Sequence, residues 1–186
     1  MKRLGVLLII VCLISGCNGE NRELQRGIDL RQKLLSASGC SFAAQIQADY
    51  KDHVYTFAVD CSTDENGNLQ FSVKEPSTLE GITGTLRASG GELTFDDTAL
   101  AFPFLADGTL SPVSAPWLFL NTLKCGRIRC AGKDGDTLRI TLDDSYEEDA
   151  LQVDVWLDDS DIPIRSAVFY QGRRILSVLI HNFHIL

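Results

Sequence analysis

Histidine is scarce in these 186 residues, at three, and methionine occurs once. The chain contains no Gly-x-Ser-x-Gly, no phosphate-binding P-loop, no dinucleotide fingerprint and no His-Glu-x-x-His, so no short catalytic motif announces an activity. His181 and His184 are three apart, which on a strand sets them on opposite faces and makes a poor metal pair. His53 sits near a hairpin tip. No cofactor and no metal is implied. Basic charge is also short: 17 Lys+Arg stand against 25 Asp+Glu, for a net charge of −8. That balance argues against a nucleic-acid partner and against lying flat on anionic lipid. No apolar run reaches the about 20 residues that a membrane-spanning helix needs.

What is present begins at the N-terminus. Met1-Lys2-Arg3 is followed by the apolar run Leu4 to Ile14, a charged region and an apolar region of the kind found in secretory signals. The run closes on Leu13-Ile14-Ser15-Gly16-Cys17. An aliphatic residue, two small residues and a cysteine resemble the lipobox of bacterial lipoproteins. The resemblance implies that residues 1–16 are removed and that Cys17 carries lipid. Several acyl chains would then hold the protein at the outer face of the cell membrane, where one chain alone anchors only marginally. Without Lys2 and Arg3, Lys+Arg falls from 17 to 15 against 25 acidic residues, a net charge of −10. Residues 17–22 would serve as lipidated cysteine and short tether, and residues 23–186 as a single domain with a sizeable core.

Four further cysteines remain for an oxidising compartment. The residues after Cys40 alternate with period two, Phe42, Ala44, Ile46 and Ala48 on one side, and so do Tyr55, Phe57, Val59 and Cys61. This is a hairpin of half-buried strands. A two-residue loop at Tyr50-Lys51 puts Asp49 opposite Asp52 and Cys40 opposite Cys61, close to disulfide range. The expected pairing is Cys40–Cys61 with Cys125–Cys130. Zinc is the rival use of Cys125 and Cys130, but no histidine lies near them in sequence.

Glu23 to Leu35 reads as an amphipathic helix, with Leu24, Ile28, Leu30, Leu34 and Leu35 on one broad face and Arg31 intruding on it. Asp64, Asn66, Asn68 and Glu75 have the spacing of a calcium loop. Leu69 stands where that loop needs glycine, however, and strands flank it, so a hairpin turn is expected. Ser114 is a candidate N-cap, Pro116 falls in the first turn of a short apolar helix, and Gly126 stops it. Strands follow around Leu138 to Leu142, Leu151 to Leu157, Ile164 to Tyr170 and Arg174 to Ile185. Successive hairpins build an antiparallel sheet. The fold class is mainly β with two or three helices: an unclosed antiparallel barrel, or half-barrel, lidded by the helices.

Three stretches carry a family resemblance. One is Val73-Lys74-Glu75-Pro76 with Leu79-Glu80-Gly81-Ile82. Another is Gly91-Glu92-Leu93-Thr94-Phe95, ahead of the short helix. The third runs from Leu151 to Asp158, then Ile162-Pro163-Ile164-Arg165, and ends in Asn182-Phe183-His184-Ile185. The layout resembles the LolA/LolB-like lipoprotein-localisation fold, an unclosed β-barrel whose helices lid an apolar cavity. It is also similar to the lipid-anchored germination proteins of spore-forming clostridia, which act by binding a partner.

Phe42, Phe57, Phe71, Phe95, Phe102, Trp117, Leu120 and Trp156 are the candidates to line such a cavity, since ligand pockets are mostly apolar. Acidic runs at Asp96-Asp97, Asp143-Asp144, Glu147-Glu148-Asp149 and Asp158-Asp159 could be imagined as paired catalytic carboxylates. Each falls at a strand end, where solvated turns are normal. The sequence therefore points to a non-enzymatic, lipid-anchored binding protein. Its partner is a protein or, alternatively, an acyl chain held as by a lipid or lipoprotein carrier.

Overall fold

The computed structural model describes residues 18–186 except 97, 107 and 108, with side chains from Arg22 onward and without those of 105–109. The signal segment, Cys17 and Asp97 lie outside the described residues. Helix α1 spans Asn18–Ser36 and α2 spans Ala115–Cys125. The first strands are β1 (Cys40–Asp49), β2 (Val54–Thr63), β3 (Leu69–Glu75), β4 (Thr83–Arg87), β5 (Gly90–Phe95) and β6 (Thr98–Phe102). A two-residue pair, β7 (Leu105–Ala106) and β8 (Thr109–Leu110), leads to α2. The chain then makes β9 (Arg127–Asp134), β10 (Thr137–Asp143), β11 (Gln152–Leu157), β12 (Pro163–Tyr170) and β13 (Arg173–Ile185).

Eleven strands form one antiparallel sheet in the order β6-β5-β4-β3-β2-β1-β13-β12-β11-β10-β9. It is two meanders fused at the β1–β13 pair, with β6 and β9 as its unjoined edges. A twisted sheet this wide curls, and its concave side collects the apolar positions. This is the helix-lidded half-barrel that the alternation implied. Phe42, Ala44, Ile46 and Ala48 of β1, Ile140 and Leu142 of β10, Val153 and Val155 of β11 and Val178 of β13 are all buried there. Phe119 of α2 presses onto Phe42 and Phe183, with ring centroids 5.8 and 6.3 Å away. Edge-to-face contacts of this kind add to the area they bury.

Several expectations need correction. The β1–β2 loop holds four residues, not two. Lys51 adopts a left-handed φ of 69° and its N–H donates to the Asp49 carboxylate at 2.9 Å. Asp49 consequently faces Val54, and Phe42 faces Cys61. Cys40 lies beside Thr63 instead, whose hydroxyl accepts the Cys40 N–H at 2.9 Å. A slip of two residues keeps each side chain on its expected face but separates the two cysteines. The polar tether is also helical, since α1 begins at Asn18.

Arg31, the intruder on the apolar face of α1, donates to the carbonyls of Leu123 (2.8 Å) and Gly126 (2.7 Å), groups that the end of α2 leaves unpaired. Ser114 stands at the N-cap of α2 but does not cap with its side chain. Its hydroxyl donates to the Ser111 carbonyl at 2.6 Å, inside a 3-10 turn that runs straight into the helix. Gly126 ends α2 because of space, not φ: a Cβ there would sit 2.6 Å from both the Asp143 and Thr122 carbonyl oxygens. Strand β9 has no apolar alternation to reveal it, since it is an edge with mostly exposed residues.

Candidate functional site

The 3.6-residue period of α2 divides its side chains between two surroundings. Leu118, Phe119, Thr122 and Leu123 are buried. Trp117, Leu120, Asn121 and Lys124, at spacings of three, four and seven, share the other face and line a hollow, Leu120 being buried as well. Where α2 begins, a cavity of about 760 Å³ opens at the mouth of the half-barrel. Its apolar walls are Tyr50, Phe104, Trp117, Leu118, Leu151 and Ile175. Phe104 and Trp117 pack with centroids 4.8 Å apart. The hydroxyl of Tyr50 donates to the Leu110 carbonyl. Burial pushes that phenol up to about 12, so it stays neutral in the wall. Tyr50 and Leu110 also border a second apolar hollow of about 520 Å³, which Phe102 and Leu93 line.

The rim of the larger cavity is charged. Arg173 donates to the Asp49 carboxylate at 2.9 Å, and Lys51, Asp144 and Asp149 complete it. Asp144 accepts the Leu151 N–H at 2.8 Å, while burial holds its carboxyl above the ordinary value.

Of the residues proposed from sequence, Trp117, Leu120 and Phe102 line cavities within the half-barrel. Phe42, Phe57 and Phe71 are packed into the core. Phe95 is 53% exposed on β5. Trp156 stands on the other side of the sheet from Val155 and Leu157. Its indole N–H donates to Asp134 at 2.7 Å, and the Arg165 guanidinium lies 3.9 Å from its ring centroid. Tyr50 and Leu118 were not among the candidates. A Phe-Pro-Phe segment bridging strand and helix was the available signal for Phe104.

The described cysteines Cys40, Cys61, Cys125 and Cys130 are free thiols, the first two buried and the last two exposed. Neither expected pairing is formed in this structure. Cys61 faces Phe42, Cys125 closes α2, and Cys130 faces Thr141 of β10. Burial raises both inner thiols above their ordinary value.

Several carboxylates of the acidic runs and their neighbours are engaged in structure, while Asp144 and Asp149 stand on the cavity rim. Asp143 takes the Arg127 guanidinium at 2.6 Å, with Arg129 at 3.6 Å. Asp158 accepts the N–H groups of Ser160 and Ile162, and Asp161 accepts Arg26 at 2.6 Å. Asp64 accepts Asn66 and Asn68 N–H groups in a hairpin turn. The two late histidines share a face, contrary to the simple strand rule. Asn182 bulges out at φ 52°, so His181 and His184 pair with Ala43 and Ser41 and both stay exposed. A bulge adds one residue and shifts the alternation.

No family model matches the chain, and no curated protein matches it. Among solved structures it is similar to a LolA superfamily protein from Nitrosomonas europaea, at 8% identity over 86% of this chain and 93% of that one, with a TM-score of 0.48. It is similar to lipoprotein LppX from Mycobacterium tuberculosis at 11% identity, 87% and 93% coverage and a TM-score of 0.42. A structure of the CwlD amidase from Clostridioides difficile in complex with the GerS lipoprotein gives 12%, 86%, 93% and 0.44. These likenesses are confined to the outline of the fold.

Proposed function

We propose that this protein is a lipid-anchored, extracytoplasmic binding protein, not an enzyme, and that its cleft receives an acyl chain. The observation that carries the reading is the 760 Å³ cavity walled by Phe104, Trp117, Leu118 and Ile175. Its size falls within the range of small-molecule sites, and its walls suit a ligand without polar demands. The engagement of Asp143, Asp158 and Asp161 in ion pairs and turns supports structural roles for those three carboxylates. Cys17 would supply the membrane attachment. Among the described residues no helix is long and apolar enough to cross a bilayer.

Native mass spectrometry of the purified protein tests the cleft. Co-purifying lipid in the wild type, lost in Leu118→Asp that still melts cooperatively, is the expected result. An unliganded mass that does not change on adding palmitate would remove the acyl chain from the mechanism. For the anchor, Cys17→Ala should move the protein from the membrane fraction to the soluble one.

A protein partner is the second reading, and β6 is the observation that favours it. This edge strand reads Thr98-Ala99-Leu100-Ala101-Phe102, carries no charge, and exposes 64% of Leu100. Uncharged, apolar edges invite an added strand.

A further inference from the structure

At the other end of α2 from the apolar cavity lies a hollow of about 440 Å³, and its chemistry is the opposite of that mouth. Lys124 and Arg87 line it, with Asn66, Asn68 and Asn121, and Trp117 forms part of its wall as well as of the apolar cavity. In a chain of net charge −8, two cations share one half-enclosed hollow. Neither forms an ion pair among the described residues.

Two nearby features oppose their field. The C-terminus of a helix repels anions, but Arg31 occupies the Leu123 and Gly126 carbonyls there. On the β2–β3 turn, Asp64 accepts the Asn68 side chain and the backbone N–H groups of Asn66 and Asn68, and neither it nor Glu65 lines the hollow. Its carboxyl is held below the ordinary range mainly by the Asn68 side-chain bond, with Arg87 contributing least. The rim of the apolar cavity, by contrast, sets Asp49, Asp144 and Asp149 against Lys51 and Arg173.

We infer that this hollow is a phosphate-binding subsite for the headgroup of an anionic, single-chain amphiphile whose acyl chain runs over Trp117 into the apolar cavity. Lys124 and Arg87 bind the phosphate charge, the Asn121 and Asn66 amides donate to its free oxygens, and the indole separates head from tail. Charged hydrogen bonds of this type are the strong ones. The inference rests on the acyl-chain reading above and adds the ligand class to it.

Equilibrium binding of radiolabelled probes to the full chain held in amphipol tests it. The probes are palmitoyl lysophosphatidylglycerol, monopalmitoylglycerol, which has the same chain and no phosphate, and inorganic phosphate. Lys124→Gln and Arg87→Gln, both at solvent-accessible positions, should each weaken lysophosphatidylglycerol about tenfold and leave monopalmitoylglycerol unchanged. Trp117→Ala should weaken both amphiphiles. Unchanged lysophosphatidylglycerol affinity in both charge variants would overturn the headgroup assignment while the acyl-chain reading stands. Phosphate bound as tightly as the amphiphile would overturn the acyl-chain reading and leave a free-anion site. Absence of binding by all three probes would remove both.

Discussion

The two wings of the sheet follow the same alternating pattern and end differently. From β10 to β13 the inward side chains lie under the helices, and Ile140, Leu142, Val153, Val155 and Val178 are inaccessible to solvent. From β5 to β6, Leu93, Phe95, Leu100 and Phe102 point to the same side of the sheet, yet Phe95 and Leu100 remain more than half exposed. Alternation decides which face a side chain occupies. Whether that face is dry depends on what is laid over it, and the helices pack chiefly against β9 to β13. The uncovered wing is where apolar surface stays available to something else.

The largest effect is expected in the covered wing. Phe119→Ala removes a ring from a three-aromatic cluster with no exposure, and should cost about 3–5 kcal/mol in urea unfolding. Gly126→Ala comes next. It forces a methyl group against the Asp143 and Thr122 carbonyls and should cost about 1–3 kcal/mol, the range for overpacking. A smaller, pH-dependent effect is expected at Tyr50, on the boundary between the wings. Its folded pKa, about 12, lies above the ordinary 10.0, because burial disfavours the phenolate. The folded state therefore holds a proton that the unfolded chain releases. Stability is fully present below about pH 10 and falls as the pH rises from there through about 12. Thermal melts across that window should show a decline that Tyr50→Phe reduces, at a cost near neutrality of about 1 kcal/mol for the lost hydrogen bond. The smallest effect is expected on the open wing, where Leu100→Ala should change stability by less than about 0.5 kcal/mol. A Leu100 cost approaching that of Phe119 would erase the distinction between the wings.

Much of the covered wing was legible. Period-two runs placed β1, β2 and β10 to β13 and chose their inner faces, and the leucine stripe placed α1. Register was not legible, because it turned on the left-handed Lys51, a conformation that few side chains adopt and that lysine does not advertise. Strand β9 was missed because an edge strand with polar residues on both sides has no alternation to read. Arg31 looked like a flaw in the helix stripe, and only the arrival of α2 beside it reveals a capping residue. At the site, Trp117, Leu120 and Phe102 stood out as aromatic or aliphatic residues near breaks in the pattern. Trp156 stood out equally and faces the other way, since composition cannot tell an indole stacked under arginine from one in a cleft. Tyr50 escaped notice because its role depends on a carbonyl sixty residues away in sequence.

The pairing of β1 with β13 has a consequence for how the chain comes into being. The middle of the sheet joins β1 to β13, strands far apart in sequence, down to the Leu186 N–H on the Gly39 carbonyl at 2.9 Å. Each meander can assemble from neighbours in sequence, but the seam between them cannot close until β13 has been made. Such long-range closure is slow to form. The N-terminal meander must therefore wait with its β1 edge open, and loss of β13 would cut the sheet at its middle, not at its margin.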